Sequence, residues 1–198
     1  MRYKPGQKQE TKRKMTVAAS QTFREFGYAG VGVDGLAKAA GVTSGAFYTH
    51  FGSKEAAFAA ALDLGLDEVI EAVPQFQRDH GTRWIQAFAD YYLGKAHRED
   101  LGGGCAMTAL TPEVIRSASP LHESYEEKMT QIAALMARGL AEDAAADRVN
   151  RAWAVLAVLI GGLSLARAMS SATVIDAISK TVIDAALVAA GPAVSVAF

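Results

Sequence analysis

Hydrophobic residues recur at three- and four-residue spacing along most of the chain, and no stretch sustains the period-two alternation of a half-buried strand. The pattern predicts an all-α protein. Met15, Ala18, Ala19, Thr22, Phe23 and Phe26 mark a first amphipathic helix, which Gly27 stops in the left-handed manner. Val33, Leu36, Ala37 and Ala40 mark a second, shorter helix closed by Gly41. Thr43 caps a third, and Ser53 caps a fourth that should run to about Val73, where Pro74 ends it. Beyond it the pattern predicts a helix from about Thr82 to His97, a flexible break at Leu101-Gly-Gly-Gly-Cys105 and a short helical piece ending near Pro112. Helices over Tyr125 to Leu140, Arg148 to Ala168 and Val174 to Ala190 complete the chain. A domain boundary inside the fourth helix divides residues 1–56 from 57–198.

The third helix has an odd composition. At about 100° per residue, Phe47 and Phe51 stack on one side, while Gly45, Ala46, Thr49 and His50 fall on the other with Tyr48 at the border. The aromatics anchor the helix and leave an exposed face that is small and polar, as a helix entering a DNA major groove requires. A helix from Val33 to Ala40, a turn of Gly41, Val42 and Thr43, then a second helix is also the helix-turn-helix spacing. Thr43 and Ser44 sit where free backbone N–H groups favour a phosphate, with Lys54 in the first turn of the next helix. An ordinary helical hairpin would show the same Gly and apolar spacing.

Charge favours the first reading. Residues 1–54 carry nine Lys or Arg against three acids, and the remainder eleven against eighteen. A basic front on an acidic body points to a polyanion met by the front alone, with a tail that is basic for solubility as the alternative. Arg2, Lys4, Lys8, Lys12, Arg13 and Lys14 concentrate that charge ahead of the first helix. No apolar region follows them, so they do not read as a signal peptide. The longest apolar run, Ala152 to Ala166, has fifteen residues, short of the roughly 20 that span a bilayer. The expectation is a cytoplasmic protein with no membrane partner.

Phe23, Gly27-Tyr28, Val33, Leu36-Ala37, Ala40-Gly41-Val42, Gly45, Tyr48, His50-Phe51 and Ser53-Lys54-Glu55 form an ordered set. Over residues 15–60 it resembles the DNA-binding domain of the TetR family of transcriptional regulators. The resemblance implies an N-terminal three-helix head, a larger helical ligand-binding domain and a homodimer. It further implies that Tyr48, Lys54 and His50 contact phosphates, and that Ser44, Gly45, Ala46 and Thr49 face the groove. Members of the family usually carry Thr or Ser just before the second helix, where this chain has Val31 and Gly32.

The rest of the chain is less specific. Trp84, Phe88, Tyr91, Tyr92, Met107, Tyr125 and Trp153 are candidates for lining a small-molecule cavity, with plain core as the alternative. His80, His97 and His122 show no metal-ligand spacing, and no metal or cofactor is expected. Cys105 is the sole cysteine, which excludes an internal disulfide and reads as a buried thiol before a sensor. Ala152, Val155, Leu156, Leu159 and Ile160, with Gly161 and Gly162, offer one apolar face. Val174, Ile175, Ile178, Val182, Ile183 and Leu187 offer another, and two such helices from each of two chains predict a dimer through a four-helix bundle. No Ser-His-Asp set, metal cluster or phosphate loop suggests an enzyme. The reading is a repressor released from a palindromic double-stranded operator by a small-molecule inducer, beside an architectural DNA-binding protein without a ligand or a helical enzyme.

Overall fold

The computed structural model describes residues 5–117, 119–141 and 145–191. Its helices are α1 (Pro5–Gly30), α2 (Val33–Ala39), α3 (Ser44–Phe51), α4 (Lys54–His80), α5 (Trp84–Tyr92), α6 (Lys95–Glu99), α7 (Ala106–Ile115), α8 (Ser119–Arg138), α9 (Ala145–Arg167) and α10 (Ala172–Ala190). They pack as two compact units. One is built from the chain up to Gly65 together with Leu101–Tyr125, the other from Leu66–Asp100 together with Glu126 onward.

The first unit forms around Phe23, whose ring meets Phe58 edge-on at 5.2 Å, among the buried side chains of Met15, Leu36, Phe47 and Leu62. Gly27 stands at φ 72°, a left-handed conformation inside α1 that kinks it where the apolar spacing predicts an end; helical backbone resumes to Gly30. Buried Arg24 donates to the Gly104 carbonyl at 2.8 Å and to Ser20 Oγ at 3.0 Å. The stretch read as a flexible break is therefore pinned to α1 by a charged donor.

In the second unit α9 and α10 fold back on each other. Arg151 Nη1 donates to the Ala190 carbonyl at 2.9 Å, and a Cβ at Gly162 would lie 2.4 Å from Val182 Cγ1. Ala152, Val155, Leu156 and Leu159 are at most 1 % exposed within the single chain. These four residues of the first predicted partner face thus form the seam inside the subunit, which Gly162 serves, while Ile160 and the second predicted face (Val174, Ile175, Ile178, Val182, Ile183 and Leu187) stay half-buried or exposed. The large apolar residues left outside include Val174 of the second predicted face, with Trp153, Leu165 and Val188, each more than a third exposed. The Asp147–Arg167 portion of α9 has 21 residues, long and apolar enough by length and composition to cross a membrane. Within it the apolar run from Ala152 to Ala166 is bounded by Arg151 and Arg167.

Three boundaries also differ. Pro74 lies inside α4 and Pro112 inside α7. Each removes one N–H from the ladder, but anchors on both sides keep α4 helical: Val73 is fully buried and Gln77 Nε2 donates to the Leu135 carbonyl at 2.9 Å. The helix expected over Thr82 to His97 instead opens as a 3-10 turn (Gly81–Arg83) and breaks between α5 and α6. Gly94 sits at that break, where a Cβ would be 2.9 Å from the Asp90 carbonyl oxygen.

Candidate nucleic-acid interface

The turn between α2 and α3 is built by backbone. Gly41 takes φ 67°, its N–H reaches the Lys38 carbonyl at 3.1 Å, and Val42 N–H reaches the Ala37 carbonyl at 2.9 Å. Thr43 then caps α3 by accepting from Ala46 N–H at 3.2 Å. Phe47 is 1 % exposed and packs on Phe51 with ring centroids 5.0 Å apart. The opposite side of the helix is open: Thr43, Gly45, Tyr48 and Thr49 are exposed, with Ala46 beside them half-buried. Nothing bulkier than a methyl or hydroxyl rises from Gly45, Ala46 or Thr49. Thr49 directs its hydroxyl hydrogen to the Gly45 carbonyl at 2.8 Å, which leaves its methyl and oxygen lone pairs facing outward.

Two predicted contacts are partly turned into the protein. Ser44 Oγ donates to Asp34 Oδ1 at 2.5 Å, tying α3 to α2. His50 is half-buried, with Nδ1 shut from solvent and without a hydrogen-bond partner among the described residues. Around the wheel His50 therefore turns further inward than its spacing suggests.

Lys54 is held where it was expected, at the start of α4, and its partner is new. Its Nζ lies 4.2 Å from the centroid of the Tyr28 ring, a separation at which the ring face attracts an ammonium. The Tyr28 hydroxyl donates to Glu55 Oε1 at 2.7 Å. Burial against Phe23 and Phe58, then the Glu55 carboxylate, push the phenol up to about 12. The same hydrogen bond, first among its causes, holds the Glu55 carboxyl below its usual range. Tyr28 and Glu55 were visible only as members of a motif. Their role needed the kink at Gly27, which turns Tyr28 toward the start of α4.

Of the basic tail, Arg2 and Lys4 lie outside the described residues. Arg13 and Lys14 both reach Glu10, at 3.2 and 3.7 Å, on the exposed start of α1. The expected cavity residues divide between the units. Met107 is fully buried and Tyr125 stands 2.6 Å from Thr111 Oγ1 in the first unit. In the second, Trp84, Phe88 and Tyr92 are core, and Trp84 also borders a cavity of about 270 Å³ with Leu140 and Leu187. Tyr91 and Trp153 are exposed at 55 % and 38 %. Cys105 is buried. Among the described residues no group of three or more His, Cys, Asp or Glu is placed to hold a metal ion.

Residues 16–61 match the family described as bacterial regulatory proteins, tetR family. Among curated proteins the chain is similar to the HTH-type transcriptional activator FasR of Mycolicibacterium smegmatis, at 33 % identity over 88 residues. That stretch is 41 % of this chain and spans only 40 % of the relative's length. Among solved structures, a TetR-family regulator from Cytophaga hutchinsonii superposes with a TM-score of 0.78 at 18 % identity, covering 98 % of this chain and 100 % of that one. A TetR regulator from Chloroflexus aurantiacus superposes at 0.69 with 27 % identity, covering 89 % and 94 %. The helix-turn-helix geometry and the residues matched agree: residues 16–61 carry the tetR-family domain of bacterial regulatory proteins, and the all-α fold of the chain is that of the solved TetR-family regulators it superposes on.

Proposed function

We propose that the chain is a ligand-responsive repressor that binds a near-palindromic DNA operator as a homodimer in the cytoplasm and is released by a small-molecule inducer. The observation that carries the DNA-binding part is the bare face of α3, fixed from below by Phe47 and Phe51. Gly45, Ala46 and Thr49 are read as facing base edges, and Thr43, Ser44, Tyr48, His50 and Lys54 as holding the backbone. The functional boundary is proposed at residue 56, with 1–56 as the DNA-binding head and 57–198 carrying the ligand site and the dimer surface. Trp84, Phe88, Tyr91, Tyr92, Met107, Tyr125 and Trp153 remain the candidate inducer contacts on that reading. The dimer is still assigned to the last two helices, now through their outward residues Trp153, Leu165, Val174 and Val188. An apolar helix such as α9 with exposed large side chains is better covered by a second copy than by water.

The test is competition between one selected duplex and random DNA at physiological salt, over a series of salt concentrations. The account expects clear preference for the selected duplex and affinity that falls as salt rises. Equal affinity for all sequences would leave only an architectural role. A second reading, activation in place of repression, is favoured by the name of the mycobacterial relative. A reporter fused to the bound promoter separates the two by the sign of the change on deleting the protein.

A further inference from the structure

A cavity of about 480 Å³ lies within the first unit, and none of the seven candidate inducer contacts lines it. One wall is Tyr28, Glu55 and Phe58, and the other includes Glu113, Arg116 and Leu121. Its volume is that of a site for a small organic molecule, and its lining is mainly apolar. The charges on that lining are two carboxylates against one guanidinium. The guanidinium is already engaged, with Arg116 Nη1 donating to the Pro112 carbonyl at 2.9 Å and lying 3.8 Å from Glu113. The Glu55 carboxylate is exposed and receives the Tyr28 hydroxyl on Oε1.

We propose that this cavity binds a small amphiphilic cation, with its apolar body on Phe58 and Leu121 and its ammonium on Glu55, and that occupancy releases Lys54 from its seat over Tyr28. An ammonium on Glu55, whose Oε2 can accept it beside the Tyr28 hydroxyl on Oε1, places a second cation next to Lys54, which already acts on the same carboxylate. The Tyr28 ring stays held by Phe23 and Phe58, and it is the like charge that repels Lys54 Nζ from its seat 4.2 Å from the ring centroid. Lys54 is the lysine assigned to the DNA backbone, so ligand and DNA would act on adjacent residues of one helix start. The idea deepens the ligand-responsive reading above and rests on it for its DNA arm alone.

The test uses the full chain and three probes of one shape and different charge: phenylbutylamine, phenylbutanol and phenylbutyrate. Calorimetric titration should rank the amine first, and Glu55→Gln should weaken the amine about tenfold while leaving the alcohol unchanged. Ala59 also lines the cavity, so Ala59→Leu, which places bulk there, should weaken both amine and alcohol, with circular dichroism to confirm folding. The amine should also lower affinity for the selected duplex about tenfold. Equal binding of all three probes to the wild-type chain, or an amine affinity indifferent to Glu55→Gln, overturns the site without the need for any cavity-filling variant. Glu55-dependent amine binding that leaves DNA affinity unchanged overturns the coupling to Lys54 but not the repressor reading. If no duplex is preferred, the repressor reading falls, while the probe series still decides the site.

Discussion

The third helix and the ninth make opposite use of small residues. In α3, Gly45, Ala46 and Thr49 lie on the open side while bulky aromatics hold the helix down. In α9, Gly162 lies on the closed side, where it lets α10 approach, and the bulky Trp153 and Leu165 stand outward. A small face thus marks an external groove-reader when the opposite face is aromatic and the helix is short. It marks an internal seam when it lies within a long apolar run, as Gly162 does between Ala152 and Ala166.

The sharpest way to break that contrast is to charge the two sides of α9 separately. Leu159→Lys puts an ammonium in the seam and should destabilise the chain by about 4 kcal/mol or more, read as early loss of helicity on heating. Leu165→Lys should keep the helical signal but shift sedimentation from dimer to monomer. If both variants merely dissociate a dimer, the seam has been assigned to the wrong side.

On α4, Lys54→Ala should weaken every duplex by a similar factor, about tenfold, and reduce the salt slope by about one. Fluorescence anisotropy over a salt series checks this. A loss confined to certain sequences would mean that Lys54 reads bases.

A smaller effect tests the support beneath Lys54. Tyr28→Phe removes one hydrogen bond to an exposed carboxylate and should lower the melting temperature only slightly at neutral pH, as thermal unfolding would read. The phenol is raised in the folded state, so its contribution is fully present below the unfolded value of about 10 and is lost as pH rises through about 12. Glu55 has the opposite sign: its carboxyl is held low, so its contribution is lost as pH falls through the folded value. Alkaline titration of phenolate absorbance, wild type minus Tyr28→Phe, should show one late-titrating group that moves earlier in Glu55→Gln.

Much of the amino-terminal unit was legible because its helices are short and punctuated. Gly27, Gly41, Thr43 and Ser53 each impose a local geometry that nearby residues cannot override, and the aromatic anchors of α3 fix its faces. The later helices lack that punctuation. Pro74 and Pro112 carry strong stop signals that burial of neighbouring side chains outweighs. In α9 the run from Ala152 to Ala166 is interrupted only by Ser164, so periodicity cannot say which face meets the same chain and which a partner. The Tyr28–Glu55 pair was illegible for another reason, since it joins residues 27 positions apart through a kink.

The claim that α3 enters the major groove is tested most directly by measuring Gly45→Leu and Thr49 variants against a panel of single-base changes in the selected duplex. Gly45→Leu should fold, because Phe47 and Phe51 still anchor the helix, yet lose about a hundredfold or more in affinity as it is held off the base edges. Thr49 variants should change which bases are preferred. A Gly45→Leu protein that folds and binds the selected duplex as tightly as the wild type would show that this helix is not in the groove.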